Sequence, residues 1–275
     1  MADRKLKIAL AQMSCGPDVK KNLRHGLEAM EQAASAGARL IVFPELSFLP
    51  FLPQKPAEPG YEKWAEPVPG PTFEAIAQKA AELRLVTVFN LLEIYQGKTY
   101  DSSPVIEADG KLAGLNRMVH VLEAPGFHEK TYYCPGDLGA DVFATSVGRL
   151  GVAICYDRHF PEYLRALALK GADLVVIPQA GAKGEWPAGL FEAEVQVAAF
   201  QNGYFCALAN RVGKEPRVEF EGGSLVVSPY GQVIAQARQG KEEILLVEIE
   251  FSQLEECPAR KHFLQDRRPE VYDQF

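Results

Sequence analysis

The 275-residue sequence has no run of about 18 consecutive apolar residues, so it predicts no helix across a membrane. It also lacks an excess of basic residues, since 29 Lys and Arg are outnumbered by 36 Asp and Glu and the net charge is −7. Such a chain is poorly suited to a phosphate backbone or to an anionic membrane surface. No apolar leader stands before the first predicted strand, so no secretion signal is indicated. We therefore expect neither nucleic acid nor a membrane as a partner.

Cysteine is too scarce and too scattered for a structural framework. The five cysteines, at positions 15, 134, 155, 206 and 257, are odd in number and include no Cys-x-x-Cys pair. A disulfide scaffold or a zinc ribbon is therefore not expected, and the pattern fits the reducing cytoplasm. The spacing of His120, His128 and His159 matches no common metal site. The sequence thus predicts a cytoplasmic protein with no metal and no cofactor.

Apolar patterns of the strand type and of the helix type alternate along the chain. The apolar content of 47% supports a sizeable core, and the length suits one large α/β domain or two small ones. Helical spacing predicts helices that begin near Val19, Pro161 and Leu190, and Thr72 is a candidate N-cap for another. The proline-rich stretch 49–71 is expected to be a long, ordered loop. This order of elements is typical of an α/β fold.

Two stretches of the sequence echo each other. Residues 37–45 read GARLIVFPE and residues 171–179 read GADLVVIPQ, each with a helix stop, a buried strand, a proline and a polar residue. Apolar strands also look alike by coincidence, but two related α-β halves would produce this pair. Ligand sites lie at the carboxyl ends of strands in open α/β sheets, so Glu45 and Gln179 would share one rim with Cys155.

Cys155 follows an apolar strand at 150–154 and precedes polar residues and a helix that begins near Pro161. A thiol in this place is well positioned for chemistry, because the dipole of a helix favours a thiolate at its amino terminus. The alternative is a buried, inert cysteine, which is the common state of a free thiol. The polar neighbours at 157–159 favour the chemical role.

A cysteine nucleophile needs a base for its proton and donors for the developing oxyanion. Glu45 ends the buried strand 39–43 and can be the base if burial raises its pKa. Its alternative role is that of a surface cap. The backbone N–H of Tyr156 is a candidate oxyanion donor.

Five ordered motifs resemble those of the nitrilase, or carbon–nitrogen hydrolase, superfamily. They read FPEL at 43–46, GFHEKTYY at 126–133, ICYD at 154–157 followed by FPE at 160–162, NRVG at 210–213, and GGS at 222–224. The resemblance spans nearly the whole chain. The second motif is most similar to the carbamoyl-amide branch, which includes N-carbamoylputrescine amidase and ureidopropionase.

The resemblance implies a fold and an assembly. The fold is a four-layer α-β-β-α sandwich with two related α-β halves, in a single domain over residues 1–275 with a tail at about 251–275. Protomers are implied to pair helix face to helix face, as a dimer or a larger homo-oligomer.

The resemblance also implies the roles of the site residues. Cys155 would be the nucleophile, Glu45 the general base, and Glu129 a second carboxylate that positions substrate or lysine. A solvated loop charge is the alternative for Glu129. The pocket that begins at Gln179 and Ala180 would select the substrate, and the other candidate substrate-binding residues are Tyr156, His120 and Lys130.

One position departs from the superfamily pattern. Where members carry a catalytic lysine, this sequence has Met118, although the neighbouring Arg117 and His120 are in place. Methionine donates no hydrogen bond and carries no charge. One oxyanion donor is therefore missing, and Glu45 and Glu129 should repel each other.

Four interpretations of this departure stay open. Another cation replaces the lysine, with Lys130 and His120 the nearest in sequence; or the chemistry needs less cationic help; or the protein has lost hydrolysis and binds a ligand or partner. The fourth is an engineered replacement at Met118, although Asn116 and Val119 also stray from the usual segment, which favours natural divergence.

The sequence therefore predicts an amidase-type hydrolase rather than a true nitrilase. It would cleave the non-peptide C–N bond of a small amide or N-carbamoyl compound through a thioester at Cys155. The alternative is a catalytically impaired member that acts as a ligand-binding or scaffold protein. In either case Glu45, Met118 and Cys155 are expected to converge on one cavity.

Overall fold

The alternation of side chains along the strands determines how the layers of this protein stack. The computed structural model describes residues 5–272. Its strands are β1 Lys5–Gln12, β2 Leu40–Val42, β3 Val86–Val88, β4 Leu91–Tyr95, β5 Lys98–Ile106, β6 Leu112–Arg117, β7 Glu123–Ala124, β8 Phe127–His128, β9 Val142–Thr145, β10 Gly148–Val152, β11 Leu174–Gln179, β12 Phe205–Asn210, β13 Val212–Lys214, β14 Glu219–Glu221, β15 Leu225–Val227, β16 Val233–Gln236 and β17 Glu243–Glu250. Its helices are α1 Val19–Ser35, α2 Pro71–Leu83, α3 Pro161–Leu169, α4 Leu190–Asn202, α5 Ser252–Glu256 and α6 Pro269–Tyr272.

Two large sheets carry the fold. The first has the strand order β17-β1-β2-β3-β5-β4, with β6 also paired to β5, and the second has the order β16-β15-β12-β11-β10-β9. Three neighbouring strands are parallel at the centre of each sheet, namely β1, β2 and β3 in one and β10, β11 and β12 in the other. The echoing stretches are therefore the middle strands β2 and β11 of two related halves.

Successive side chains on a strand point to opposite faces, and here both faces are apolar. Ile8 of β1 and Val176 of β11 belong to the core between the sheets. The adjacent residues Ala9 and Val175 pack instead under the helices, Ala9 in the α1–α2 cluster and Val175 in the α3–α4 cluster. The result is the predicted four-layer α-β-β-α sandwich, which is confirmed.

The start of α2 differs from the prediction. Pro71 occupies the first helical turn and Gly70 is the N-cap, so the assignment of Thr72 as the cap is wrong. Proline at this position fixes a helical φ and lacks the N–H that would stay unpaired. The backbone N–H of Thr72 is satisfied by Glu66 Oε2 at 2.9 Å, which caps the helix from the preceding loop.

The chain after β17 folds back onto the protein itself. The guanidinium of Arg260 donates to the carbonyl oxygens of Gly203 and Ala172, both at 2.7 Å. Contact of this tail with a partner subunit stays a prediction, and its last residues, 273–275, lie outside the described residues. Between residues 5 and 272, no helix is both long enough and apolar enough to cross a membrane.

Close packing of α1 against the chain after β2 generates a test of stability. A Cβ on Gly26 would lie 2.3 Å from Cε1 of Phe48, whose ring is held between Phe43 and Phe89. At an uncrowded helix position, replacing glycine with alanine stabilises a helix by about 1 kcal/mol. At Gly26 we expect the opposite, because overpacking should lower the unfolding free energy of Gly26→Ala by about 1–3 kcal/mol. Urea unfolding measures it, with Glu28→Ala on the exposed side of α1 as control. A more stable Gly26→Ala variant would contradict this packing.

Candidate active site

The turn after β10 presents Cys155 in a strained backbone conformation. Its φ is +43°, a region that non-glycine residues seldom adopt and that costs of the order of 1–3 kcal/mol. Asp157, which is fully buried, holds the turn: its carboxylate accepts from the N–H of Ile154 at 3.2 Å, from that of Val119 at 3.1 Å and from His120 Nδ1 at 2.8 Å. The nucleophile turn is thereby fastened to the segment that follows β6.

A second strained turn, after β2, presents Glu45. Leu46 has a φ of +44°, and its N–H donates to Asn90 Oδ1 at 2.7 Å. The fully buried Arg211 donates to the carbonyl oxygens of Glu45 at 3.0 Å and Leu46 at 2.7 Å, and it pairs with Glu215 at 2.5 Å. The backbone of this turn is therefore held from both sides.

The side chains of Glu45, Glu129 and Cys155 converge. A ligand atom from each lies within 4.8 Å of those of the other two, and all three residues are buried. Glu129 is anchored through Oε2, which accepts from the N–H of Leu122 at 3.0 Å. The backbone N–H of Ala180, at the end of β11, lies close enough to Cys155 to oppose the rise in the pKa of its thiol.

Burial raises the pKa of every acidic group in this cluster. Loss of solvent, followed by the charge of Glu129, raises the pKa of Glu45 to about 8. Burial is also the main cause of the raised pKa of Asp101 and of Glu129. The pKa of Cys155 is raised by burial and then by Glu45 and Glu129, while Arg158 opposes this. Burial and the two glutamates therefore outweigh the expected preference for a thiolate before a helix. The residues that directly follow Cys155 form only a short 3-10 turn, Cys155–His159, so they provide little helix dipole.

Met118 is a buried residue whose backbone is hydrogen-bonded to that of Asp101. It is 1% exposed, and its N–H donates to the carbonyl oxygen of Asp101 at 2.9 Å. The adjacent Arg117 is also buried, but its guanidinium pairs with both oxygens of Glu93, at 2.7 and 2.6 Å, and with Asp137 at 2.7 Å. Its charge is therefore neutralised away from Cys155.

The two residues suggested as replacements for the missing lysine are not brought into the cluster. Lys130 is exposed on the short turn Glu129–Thr131. The ring of His120 is hydrogen bonded to Asp157 and stacked on Phe160, with 3.5 Å between ring centroids.

The remaining predicted substrate-binding residues surround the nucleophile turn. Gln179 Oε1 accepts from Arg158 Nη1 at 2.8 Å, and the same nitrogen lies 3.2 Å from the carbonyl oxygen of Cys155. Tyr156 is half-buried, with its ring edge-on to Phe160. Gln179 and Ala180 are both buried at the carboxyl end of β11.

Sequence reasoning missed two buried polar groups of this site. Asp101 is fully buried and accepts from Asn90 Nδ2 at 2.5 Å, while its other oxygen has no hydrogen-bond partner. The hydroxyl of Tyr133 is likewise buried and unpartnered. The signal for Asp101 was the polar run Asp-Ser-Ser at 101–103 inside a buried strand. Tyr133 carries no comparable signal, since tyrosine is common in cores.

Fold and site together define a class, an α-β-β-α sandwich hydrolase with a cysteine nucleophile and a neighbouring glutamate. The sequence profile of the family described as "Carbon-nitrogen hydrolase" matches residues 7–259. The chain belongs to the carbon–nitrogen hydrolase family, and within it to the amidase-type enzymes.

Similar proteins cover the whole fold. The N-carbamoylputrescine amidase of Solanum lycopersicum is 32% identical over 98% of this chain and 94% of its own length. The structure of a carbon-nitrogen hydrolase from Helicobacter pylori G27 is 32% identical, with a TM-score of 0.90 and 98% of each chain covered. A mutant amidase from Nesterenkonia sp. AN1, in which the acetamide moiety of fluoroacetamide is added covalently at the active-site cysteine, is 27% identical, with a TM-score of 0.83 over 98% of this chain and 96% of that one.

The raised pKa of Glu45 generates a prediction for stability against pH. An acid with an unfolded pKa near 4.5 and a folded pKa of about 8 binds more protons when folded, so ionisation opposes folding in that window. We expect the unfolding free energy to fall from pH 5 to pH 8, by a few kcal/mol in order of magnitude. Urea unfolding of Glu45→Gln should show a shallower slope, and the exposed control Glu28→Gln an unchanged one. An equal slope in wild type and Glu45→Gln would refute this account.

Proposed function

We propose that this enzyme hydrolyses the C–N bond of small amide or N-carbamoyl compounds through a thioester at Cys155. The observation that supports this most strongly is the convergence of Glu45, Glu129 and Cys155 within 4.8 Å at the carboxyl ends of strands. The covalent adduct at the cysteine of the Nesterenkonia amidase and the name of the tomato relative support the same chemistry.

In the proposed reaction Glu45 is the base and then the acid. It removes the proton of Cys155 as the sulfur attacks the carbonyl carbon, and it returns that proton to the leaving nitrogen. The amine departs and a thioester remains. Water then gives a proton to Glu45 and attacks the thioester, which releases the product and restores the thiol. A pKa of about 8 suits a group that both accepts and donates a proton near neutral pH.

The oxyanion of this reaction would be stabilised mainly by backbone donors. The N–H groups of Tyr156 and Ala180 are the candidates, while Gln179 would contribute to the pocket wall. Met118 supplies no donor where the superfamily carries lysine, and loss of one donor costs about 10²–10³ in rate. We therefore propose slow turnover of simple amides, with Glu129 as the group that orients the substrate nitrogen.

We also propose a cytoplasmic homo-oligomer. All five cysteines are free, which fits a reducing compartment. The outer face of α4 exposes Leu190 and Val197, each about half accessible, beside Trp186. These apolar side chains border a cavity of about 370 Å³ between α3 and α4, and an exposed apolar patch of this kind supports the proposed pairing of helix faces.

The covalent intermediate can be tested directly. On incubation with acetamide, N-methylurea or an aryl amide, we expect mass spectrometry to find an acyl or carbamoyl group on Cys155. Cys155→Ala should lose both the adduct and turnover, whereas the matched control Cys134→Ser should keep both. Glu45→Gln should lower turnover by several orders of magnitude because the base is lost. Ligand binding with an intact thiol throughout would favour the ligand-binding or scaffold alternative.

The assembly can be tested separately. Val197→Asp places a charge on the proposed helix-face contact and should shift the protein towards monomer in size-exclusion chromatography with light scattering. Leu112→Asp, an exposed apolar site on the other sheet, is the control and should leave the mass unchanged. A monomeric wild type, or equal masses for all three proteins, would rule out pairing through this face.

A further inference from the structure

The cluster around Cys155 gathers three buried carboxyl groups that receive few hydrogen bonds from the rest of the chain. Glu45, Asp101 and Glu129 are each at most 1% exposed. Both carboxyl oxygens of Glu45, Oδ2 of Asp101 and Oε1 of Glu129 are buried without a hydrogen-bond partner from outside the cluster; inside it, Glu45 contacts Asp101 and Cys155. A buried acceptor left unpaired costs about 1–3 kcal/mol, and more when it is charged. A ligand that brings several donors would remove this cost.

A polar group on a different element faces the same space. The hydroxyl of Tyr133 is buried and unpartnered, and the charges that act on it are those of Asp101, Glu45, Glu129 and Cys155. Its backbone is fixed by an N–H that donates to the carbonyl oxygen of Glu129 at 2.8 Å. The unpaired atoms therefore come from three segments of the chain, at Glu45, at Asp101 and at 129–133.

The cationic side chains whose charges reach this cluster pair with other carboxylates, and each keeps one buried nitrogen without a hydrogen-bond partner, Nη2 of Arg158 and Nε of Arg211. Arg158 pairs with Glu194 at 3.1 Å and also contacts Gln179. Arg211 pairs with Glu215 and with backbone carbonyls. Each arginine thus has a carboxylate of its own. With Met118 at the remaining position, a cation from outside would let the three site carboxyls ionise more readily.

We propose that the substrate supplies this cation, so that the site acts on small amidinium or guanidinium compounds, an inference that rests on the proposed Cys155 chemistry. The planar N–H groups of such an ion match carboxylates in pairs. An amidinium carbon starts with a positive charge and becomes neutral when a thiolate adds to it. No oxyanion forms in that step, so the donor missing at Met118 is not required.

The reaction balances with the groups present. Glu45 takes the thiol proton as sulfur bonds to the amidinium carbon, and the C=N electron pair moves to nitrogen to give a neutral adduct. Glu45 returns the proton to one nitrogen, and ammonia leaves a cationic thioimidate on Cys155. Water adds and gives a proton to Glu45. The C–S bond then breaks, sulfur takes the hydroxyl proton of the adduct, and the proton on Glu45 passes to ammonia. The sum is amidinium plus water to amide plus ammonium; a guanidinium gives a ureido product.

Matched substrate pairs test the proposal. Acetamidinium with acetamide, and methylguanidinium with methylurea, differ chiefly in charge. We expect wild type to release ammonia with a kcat/KM at least about 10²-fold higher for the cation of each pair, since one lost oxyanion donor costs about that much with the neutral member. Met118→Lys should reverse the preference because its ammonium repels the cation and restores the donor. Met118→Leu, the apolar control, should behave as wild type.

A second readout does not depend on turnover. Acetamidinium should slow alkylation of Cys155 by iodoacetamide in wild type and in Met118→Leu, but not in Met118→Lys, and acetamide should protect less. An equal or greater kcat/KM for acetamide in wild type would overturn the cationic substrate class and leave the proposed amidase function standing. Absence of protection would overturn the class even without turnover. Protection with no adduct and no turnover would keep the binding site and refute the proposed hydrolysis.

Discussion

Burial of acidic groups at the carboxyl ends of parallel strands is the constraint on which this structure depends. The central strands of each sheet are parallel, so β2 and β10 deliver Glu45 and Cys155 to one interior rim between the stacked sheets. At this position solvent is excluded, and the pKa of Glu45 rises to about 8. The same burial that makes Glu45 a competent base near neutral pH also makes the ionised cluster costly.

The surrounding chain holds the two reactive turns with buried side chains that make several hydrogen bonds each. Asp157 and Arg211 do not belong to the reactive cluster, yet each makes several hydrogen bonds to the turns that carry Cys155 and Glu45. Both turns hold a non-glycine residue at positive φ, which persists only where neighbours impose it. Packing of the apolar core between the sheets stabilises the fold and offsets the free-energy cost of this local strain. Because both turns are held in this way, Glu45 and Cys155 are kept close to each other.

Much of this site follows from local sequence, because strand ends are local features. Cys155 and Glu45 each end a buried apolar stretch, and the echo of residues 37–45 at 171–179 predicts that both halves share a plan. Asp101 and Tyr133 were missed because their roles depend on pairing of β5 and on a loop fold that no local pattern encodes. Thr72 was misassigned because Glu66, six residues earlier, caps α2 instead. The exposure of Lys130 likewise depends on tertiary packing.

The segment around Met118 keeps its polar contacts, although Met118 itself carries no charge. The residues on either side keep their polar partners: Arg117 is held by Glu93 and Asp137, and His120 by Asp157. Methionine is unbranched and apolar, and Met118 packs within the apolar core between the sheets. The backbone N–H of Met118 still reaches Asp101. If Met118 corresponds to the superfamily lysine, as we propose, the charge state of the carboxyls would depend on what the pocket binds.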